Sequence, residues 1–348
     1  MFDRKEFIRS FSLLGERMLE SPFYMPFLKA YRDNPFFTLH MTKTAFRNIA
    51  EKYLSEDALE RLLSYSDSPG EDINLFRNRM EEKIVFIIMA GNIPAVGFHD
   101  MLCVLSTGAR ARVKLSSKDR FLIPSIVDCL MEISPELASR VSFEEDSILS
   151  RLVGKIDFLL FSGSNSTKSL LKDEFPGVSM LARGSRFSLG VLDGNETDED
   201  LARLAEDMFL YGGMGCRSIS YLFLPQGFDI QRIVKASQCM EEHLAGIEPL
   251  RWSYLKLKAT CVIDDLPWID GSFFFLEESD VPFPPLGCVR YAFYRSSSEI
   301  DSFCSFHRDE IQKKYTNFGN AQRPETDDWM DGINTVQSVL EGCKAYYV

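Results

Sequence analysis

Eight cysteines, at positions 103, 129, 216, 239, 261, 288, 304 and 343, are spread through a chain of 348 residues, and one of them has unusual neighbours. In Tyr211-Gly212-Gly213-Met214-Gly215-Cys216-Arg217-Ser218, three glycines fall in the four positions before Cys216. Glycines there let the backbone turn tightly and leave the sulfur approachable, and the positive charge of Arg217 favours the thiolate. This is the setting of a cysteine nucleophile. It also fits a Gly-rich turn with an incidental buried thiol. The other cysteines form no CxxC pair and no Cys/His cluster at metal-ligand spacing, so neither disulfides nor a metal site is expected.

Two more turns have the composition for anion binding. Ala90-Gly91-Asn92-Ile93-Pro94 follows the apolar run Ile84 to Met89, and Phe161-Ser162-Gly163-Ser164-Asn165 follows Ile156 to Leu160. A strand that ends in a Gly-rich turn and leads into a helix points backbone N–H groups at a phosphate. Neither turn is a GxGxxG, and each alone also reads as a plain structural turn. His99, His243 and His307 read as surface or satisfied core residues. His99 is placed two helical turns into the helix after Asn92.

The elements that must position these residues follow from hydrophobic rhythm. Residues 1–75 read as a helical extension whose aromatics (Phe23, Tyr24, Phe27, Tyr31, Phe36, Phe37) are packing residues, closed by the turn Asp67-Ser68-Pro69-Gly70. Next come strands at Ile84 to Ala90, Arg112 to Leu115, Val141 to Phe143 and Ile156 to Phe161, with helices near 95–107, 119–132 and 165–173. Such alternation predicts βαβ units and a parallel sheet buried on both faces. A second α/β stretch has strands at Phe187 to Leu192 and Ile219 to Leu224 and helices at 198–211 and 228–245. The sequence from Leu255 to Tyr294 reads as β-rich, with strands at Ser272 to Leu276 and Cys288 to Tyr294, and the tail as mixed helix and loop. The expected division is 1–75 helical extension, 76–185 nucleotide-binding α/β domain, 186–310 catalytic α/β domain with Cys216, and 311–348 a tail packing back on the core.

Composition narrows the function classes. The net charge of −12 disfavours nucleic acid and anionic membranes, which need a basic field. No stretch approaches the roughly 18 apolar residues of a spanning helix. The opening Met1-Phe2-Asp3-Arg4-Lys5-Glu6 has no signal-peptide pattern, so a cytoplasmic protein without an integral membrane segment is expected.

Taken in order, Gly91-Asn92-Ile93-Pro94, Val113-Lys114-Leu115-Ser116-Ser117, Phe161-Ser162-Gly163-Ser164 and Gly215-Cys216 resemble the aldehyde dehydrogenase superfamily through its two-domain core. That family carries Trp-Asn-x-Pro, Leu-Lys-Pro-Ser, Phe-Thr-Gly-Ser and Gly-Gln-x-Cys at these points. The resemblance implies an α/β, aldehyde dehydrogenase-like fold of two Rossmann-like domains with an N-terminal helical extension. It makes Cys216 the nucleophile and Asn92 the side-chain donor to the oxyanion, beside the Cys216 N–H. Lys114, with Ser116 next to it, matches the site of the adenosine ribose of NAD or NADP. Ser162, Gly163 and Ser164 match the turn beside the pyrophosphate, and Glu277 or Glu278 the carboxylate on the nicotinamide ribose. Lys114, Lys118 and Arg120 are the cations available to a 2′-phosphate.

The departures redirect the chemistry. Where aldehyde-oxidising members carry Glu-Leu-Gly-Gly-Lys, this chain has Ala182-Arg183-Gly184-Ser185-Arg186, so Ala182 stands in place of the water-activating glutamate. An acyl thioester on Cys216 would then survive for hydride or thiol chemistry. Together with the shortened chain and the helical N-terminus, this looks most similar to the acyl-CoA reductases related to the reductase component of bacterial fatty-acid reductase. Phe318-Gly319-Asn320-Ala321-Gln322-Arg323-Pro324, Trp329 and Asp331-Gly332-Ile333-Asn334-Thr335 add to the likeness and receive no chemical role. The resemblance implies reduction of an acyl-CoA, fatty acyl in kind, to an aldehyde by NADPH or NADH, through an acyl-Cys216 thioester. Coenzyme A enters as part of the substrate, and a homo-oligomer is the family habit. The alternative is a Cys-dependent acyltransferase or thioesterase-like acyl carrier on the same fold without the redox step; a non-catalytic binding subunit is a third reading.

Overall fold

The computed structural model describes residues 2–20, 23–66, 79–144 and 155–344; the turn expected at 67–70 lies outside them. The chain divides into two compact units, Met1–Gly184 with Glu325–Val348, and Ser185–Pro324.

The first unit begins with four helices, α1 (Arg4–Leu19), α2 (Tyr24–Asp33), α3 (Leu39–Lys52) and α4 (Glu56–Ser64). Polar side chains start three of them. Asp3 accepts the Lys5 and Glu6 N–H groups, Thr38 that of Met41 and Ser55 that of Ala58, each satisfying donors that a helix start leaves unpaired. Phe7, Phe11, Phe37 and Phe46 are fully buried with Leu14 and Leu59. Each such ring contributes about 1.5–3 kcal/mol over its exposed state. Phe23 and Phe27 join this core as expected, but Tyr24 and Tyr31 do not: both are exposed, at the outer face of α2, where the phenol oxygen stays hydrated.

A five-stranded parallel sheet follows, in the order β3-β2-β1-β4-β5. Its strands are β1 (Ile84–Ile88), β2 (Arg110–Lys114), β3 (Val141–Phe143), β4 (Phe158–Ser162) and β5 (Met180–Arg183). The crossovers carry α5 (Phe98–Ser106), α6 (Leu122–Ile133), the short α7 (Pro135–Ala138) and α8 (Asn165–Glu174). The central strands β1 and β4 are covered on both faces, which is why these two read as apolar runs. Val85 and Ile87 join the core shared with the N-terminal helices, while Phe86 and Ile88 pack with Leu159, Phe161, Leu171 and Phe175.

The second unit holds a six-stranded sheet in the order β11-β6-β7-β10-β9-β8. Its strands are β6 (Phe187–Val191), β7 (Ile219–Pro225), β8 (Ile269–Asp270), β9 (Phe275–Glu278), β10 (Cys288–Tyr294) and β11 (Ile311–Tyr315). All pairings are parallel except β8 with β9. Helix α9 (Asp198–Phe209) starts with a reciprocal capping box between Thr197 and Asp200. Phe187, Tyr221, Phe223 and Ile300 form the core of one face.

Four expectations fail here. The stretch from Leu255 begins as helix, not strand, because α12 (Glu248–Ile263) runs through it. Pro249 sits in its first turn, where its missing N–H costs nothing. Only Leu250 and Tyr254 of that helix are buried, and Trp252, Val262 and Ile263 face solvent, so no helical periodicity is left to read. The helix expected at 228–245 is broken into α10 (Gln231–Ser237), a 3-10 turn and α11 (Glu241–Leu244). The strand expected from Ser272 starts at Phe275, since Ser272 has φ 75° and cannot extend the ladder. The tail contains β11 as well as helix α14 (Thr335–Lys344), and α13 (Ser297–Phe306) precedes it. Among the described residues no helix is long and apolar enough to cross a membrane, and no group of three His, Cys, Asp or Glu could hold a metal ion.

Candidate active site

In the first unit the predicted cofactor residues converge on one edge of the sheet. Register places Lys114, Ile88, Phe161 and Ala182 in a single row across β2, β1, β4 and β5. Three strand spacings of about 4.8 Å make that row roughly 14 Å long. The strand order reverses between β1 and β4, and ligands of open parallel sheets lie outside the carboxyl ends at such a reversal. Asn92 follows β1 and Ser162-Gly163-Ser164 closes β4, one on each side of it.

Ser164 caps α8, its Oγ accepting the Thr167 N–H at 3.2 Å and lying 2.9 Å from the hydroxyl oxygens of Ser166 and Thr167. Gly163 and Ser164 are exposed at this helix start. The glycine at 163 is required by the protein itself: a Cβ there would stand 2.5 Å from the Phe161 ring. Gly91 is required likewise, because a Cβ would fall 2.4 Å from Ser116 Oγ, so the Asn92 turn and the Lys114–Ser117 loop lie in contact. Exposed residues at a helix start, a lysine on the adjoining strand and the reversal point together fit the phosphates and ribose of a dinucleotide, the Gly163 N–H itself being bonded to the Arg183 carbonyl at 3.1 Å.

Two buried aspartates, neither anticipated from sequence, hold this edge. Asp119 Oδ2 accepts the Ala95 N–H at 2.8 Å and its Oδ1 the Leu122 N–H at 3.3 Å. Burial pushes its carboxyl up to about 6 against the pull of those two bonds. Asp100, on α5, pairs with Arg183 at 2.8 and 3.0 Å, and the same guanidinium reaches Thr335 Oγ1 at 2.7 Å and Ser162 Oγ at 3.4 Å. Arg183 and Asp100 are both about 97% buried, so the pair joins β5, α5 and α14 inside the unit. His99 stands in the first turn of α5, not two turns in, because the chain stays in turns until Phe98. Its Nε2 lies 2.7 Å from the Thr326 carbonyl and its ring packs near Tyr53 and Trp329, a structural role.

In the second unit Cys216 lies on the turn between α9 and β7, at the amino end of the sheet, and is half-buried. Gly212 and Gly213 have φ 62° and 74°, a conformation that side chains other than glycine resist. Gly190 on β6 lets Leu222, Ile219 and Phe318 close in. Ser188 on β6 donates its hydroxyl to the Cys216 carbonyl at 2.9 Å, and Ser218 N–H closes onto the Gly215 carbonyl. Arg217 is buried. Behind the turn, Asp207 of α9 accepts the Gly319 and Ala321 N–H groups at 2.6 and 2.9 Å. Gln322 Nε2 donates to the Asp207 carbonyl at 2.7 Å and to Ser218 Oγ at 3.2 Å. The closing segment from Phe318 thus braces the residue two places after Cys216. Burial raises Asp207 to about 6 as well, opposed by the N–H bonds of Gly319 and Ala321.

Burial raises each of the seven other thiols, Cys288 and Cys343 to about 12. A raised thiol is a poor nucleophile at neutral pH. Glu277 and Glu278 end β9, two strands from β7, and here the structure separates them. Glu277 accepts Arg290 Nε at 2.8 Å, whereas Glu278 points from the other face of the strand and is exposed. Of the cations expected to be available to a 2′-phosphate, Arg120 is already bound to Asp33 through Nε and one Nη. His243 lies 3.1 Å from the Leu210 carbonyl and His307 2.6 Å from Glu310, neither at a reacting position.

A lone acid on the buried face of α9, beside Leu201, Leu204 and Met208, was the signal that Asp207 carried. Asp119 had none, since Lys118-Asp119-Arg120 reads as a solvated charge run.

Comparison with known proteins bears on the fold and the family. Among solved structures, the chain is similar to aldehyde dehydrogenase 21 from Physcomitrella patens in complex with succinate, at TM-score 0.67 and 12% identity over 98% of this chain and 84% of that one. It is similar to the aldehyde dehydrogenase KauB from Pseudomonas aeruginosa, at 0.63 and 11% over 90% and 76%. It is also similar to the P. syringae indole-3-acetaldehyde dehydrogenase AldA, solved with NAD+ and IAA, at 0.61 and 12% over 90% and 75%. At these identities the likeness establishes the fold: aldehyde dehydrogenase-like, mixed α/β with parallel sheets and helices at the N-terminus. No curated protein matches the sequence significantly. The family profile described as acyl-CoA reductase (LuxC) matches residues 40–250, well over half of the chain, and the protein therefore belongs to the LuxC acyl-CoA reductase family.

Proposed function

We propose that the protein reduces an acyl-CoA, fatty acyl in kind, to the aldehyde through a thioester on Cys216. The thiolate attacks the acyl carbonyl, the C–S bond to coenzyme A breaks and the coenzyme A thiolate takes up a proton. The Asn92 side chain and the Cys216 N–H donate to the oxyanion of each tetrahedral stage. Reduced NAD or NADP, when bound, supplies a hydride to the acyl carbon; collapse then releases the aldehyde and returns the thiolate. Lys114 and Ser116 hold the adenosine ribose, and Ser162, Gly163 and Ser164 the pyrophosphate at the start of α8. Glu278 takes the nicotinamide ribose, because Arg290 occupies Glu277. Ala182 leaves water without a base, which keeps the thioester for hydride.

The observation that supports this reading is the presentation of Cys216: half-buried on a glycine turn, with its carbonyl fixed by the Ser188 hydroxyl. A cytoplasmic location and a homo-oligomer accompany the proposal. The test is acyl-CoA-dependent oxidation of NADPH and NADH by the purified protein across acyl lengths, beside Cys216→Ala. The variant should lose both reduction and covalent labelling by radioactive acyl-CoA. A mutant that still takes up label would sink the thioester. Labelling of the wild type without any NADPH or NADH oxidation would favour the acyltransferase or acyl-carrier alternative.

A further inference from the structure

The turn from Gly91 to Gly97 has a feature that the proposed roles leave unexplained. Ala95 is a buried, non-glycine residue at φ 53°, a left-handed conformation that costs an L-residue roughly 1–2 kcal/mol. Something outside the turn must hold it. The one side chain bonded to the Ala95 N–H is Asp119, which also accepts the N–H of Leu122 at the start of α6, while its own N–H bonds the Ser116 carbonyl at 3.1 Å. Ser116 in turn packs on Gly91. One buried carboxylate therefore joins the turn carrying Asn92 to the loop carrying Lys114 and Ser116.

We propose that Asp119 is a positioning residue of the reaction: by locking Ala95 in its left-handed conformation, it sets the backbone that presents the Asn92 side chain. This rests on the proposed role of Asn92. Asp119 itself touches no reacting atom. Its carboxylate works as a two-fold acceptor, so protonation sets an O–H against one of its two N–H partners. Its raised pKa, about 6, comes from burial opposed by those two bonds. Its sequence neighbours Lys118 and Arg120 are charged, Arg120 being bound to Asp33 of α2, and no charged side chain contributes to the shift of Asp119.

The test is a double-mutant cycle in the full chain, reading kcat for acyl-CoA-dependent NADPH oxidation. Asn92→Ala should lower kcat on the order of 100-fold, as loss of an oxyanion donor does. Asp119→Asn should lower it about 10- to 100-fold by misplacing that donor, with KM for acyl-CoA little changed. In the Asn92→Ala background the second substitution should cost no more than about twofold, because its target is already gone. Losses that multiply, or an Asp119→Asn enzyme with wild-type kcat, would overturn the proposal. If Asp119→Asn does not fold, the pH profile decides. The ratio of wild-type to Asn92→Ala kcat should be flat above about pH 7 and shrink below about 6; a ratio unchanged down to pH 5 would also overturn it. An Asn92→Ala enzyme with full activity, read by itself, marks failure of the Asn92 assignment and takes this inference with it.

Discussion

The turn that carries Asn92 and the turn that carries Cys216 are both held by a buried aspartate, yet they get their shape from different sources. The Cys216 turn takes its left-handed residues from Gly212 and Gly213, and Asp207 braces it at one remove, through Gln322 and Ser218. The Asn92 turn places its left-handed residue on an alanine, and Asp119 bonds that residue directly. Backbone freedom shapes the first and a tertiary hydrogen bond enforces the second. A turn built on glycine should tolerate loss of its brace better than a turn built on strain.

The largest expected effect lies beside the Asn92 turn. Asp100→Ala leaves the Arg183 guanidinium buried without its carboxylate, and breaking such a pair costs about 3–5 kcal/mol. Urea unfolding of the first unit should show it, and a loss under 1 kcal/mol would mean that Thr335 alone suffices. Asp207→Ala comes next. It strands the Gly319 and Ala321 N–H groups, at a cost of about 3 kcal/mol, and should alter the rate at which iodoacetamide alkylates Cys216. An unchanged rate would show that the brace does not reach the sulfur.

Acid should treat the two aspartates alike. Folded, each carboxyl keeps its proton up to about pH 6; unfolded, each releases it near 4. Between those values the folded state binds more protons, so this contribution to stability is present at low pH and lost as pH rises through about 6. The urea midpoint of the wild type relative to Asp119→Asn/Asp207→Asn should thus be more favourable at pH 5 than at pH 7.5. A pH-independent difference would argue that neither group titrates there.

The smallest effects separate the two turns most cleanly. Gly213→Ala should cost about 1–2 kcal/mol from backbone strain alone, since the nearest atom to an added Cβ is the Met208 carbonyl at 3.8 Å. Ala95→Gly should change stability by less than about 0.5 kcal/mol, because relief of strain offsets the added freedom of the unfolded chain. A marked loss in Ala95→Gly would mean that the alanine methyl, not Asp119, holds the turn.

Much of the scaffold was legible because its signals are local. The strands Val141–Phe143 and Cys288–Tyr294 stand where the apolar rhythm puts them, and the glycines before Cys216 announce their turn. What was illegible depends on distant partners. Helix α12 hides because its exposed apolar residues erase the helical period. Met180–Arg183 is too short and mixed to read as a strand until β4 pairs with it. Glu277 and Glu278 are adjacent and alike in sequence, and only Arg290 on the neighbouring strand tells them apart.

By itself the sequence determined the local features: a cysteine after glycines and Gly-rich turns at the ends of apolar runs, which are matters of residue chemistry and local backbone freedom. The roles proposed for Cys216, Asn92 and Ala182 rest on the order of these features and the resemblance it carries. Tertiary structure alone decided how these residues are held, because hydrogen bonds and burial between segments far apart in the chain set those positions. Asp119 reads as one more surface charge until folding buries it, and only then does the Ala95 N–H gain its acceptor.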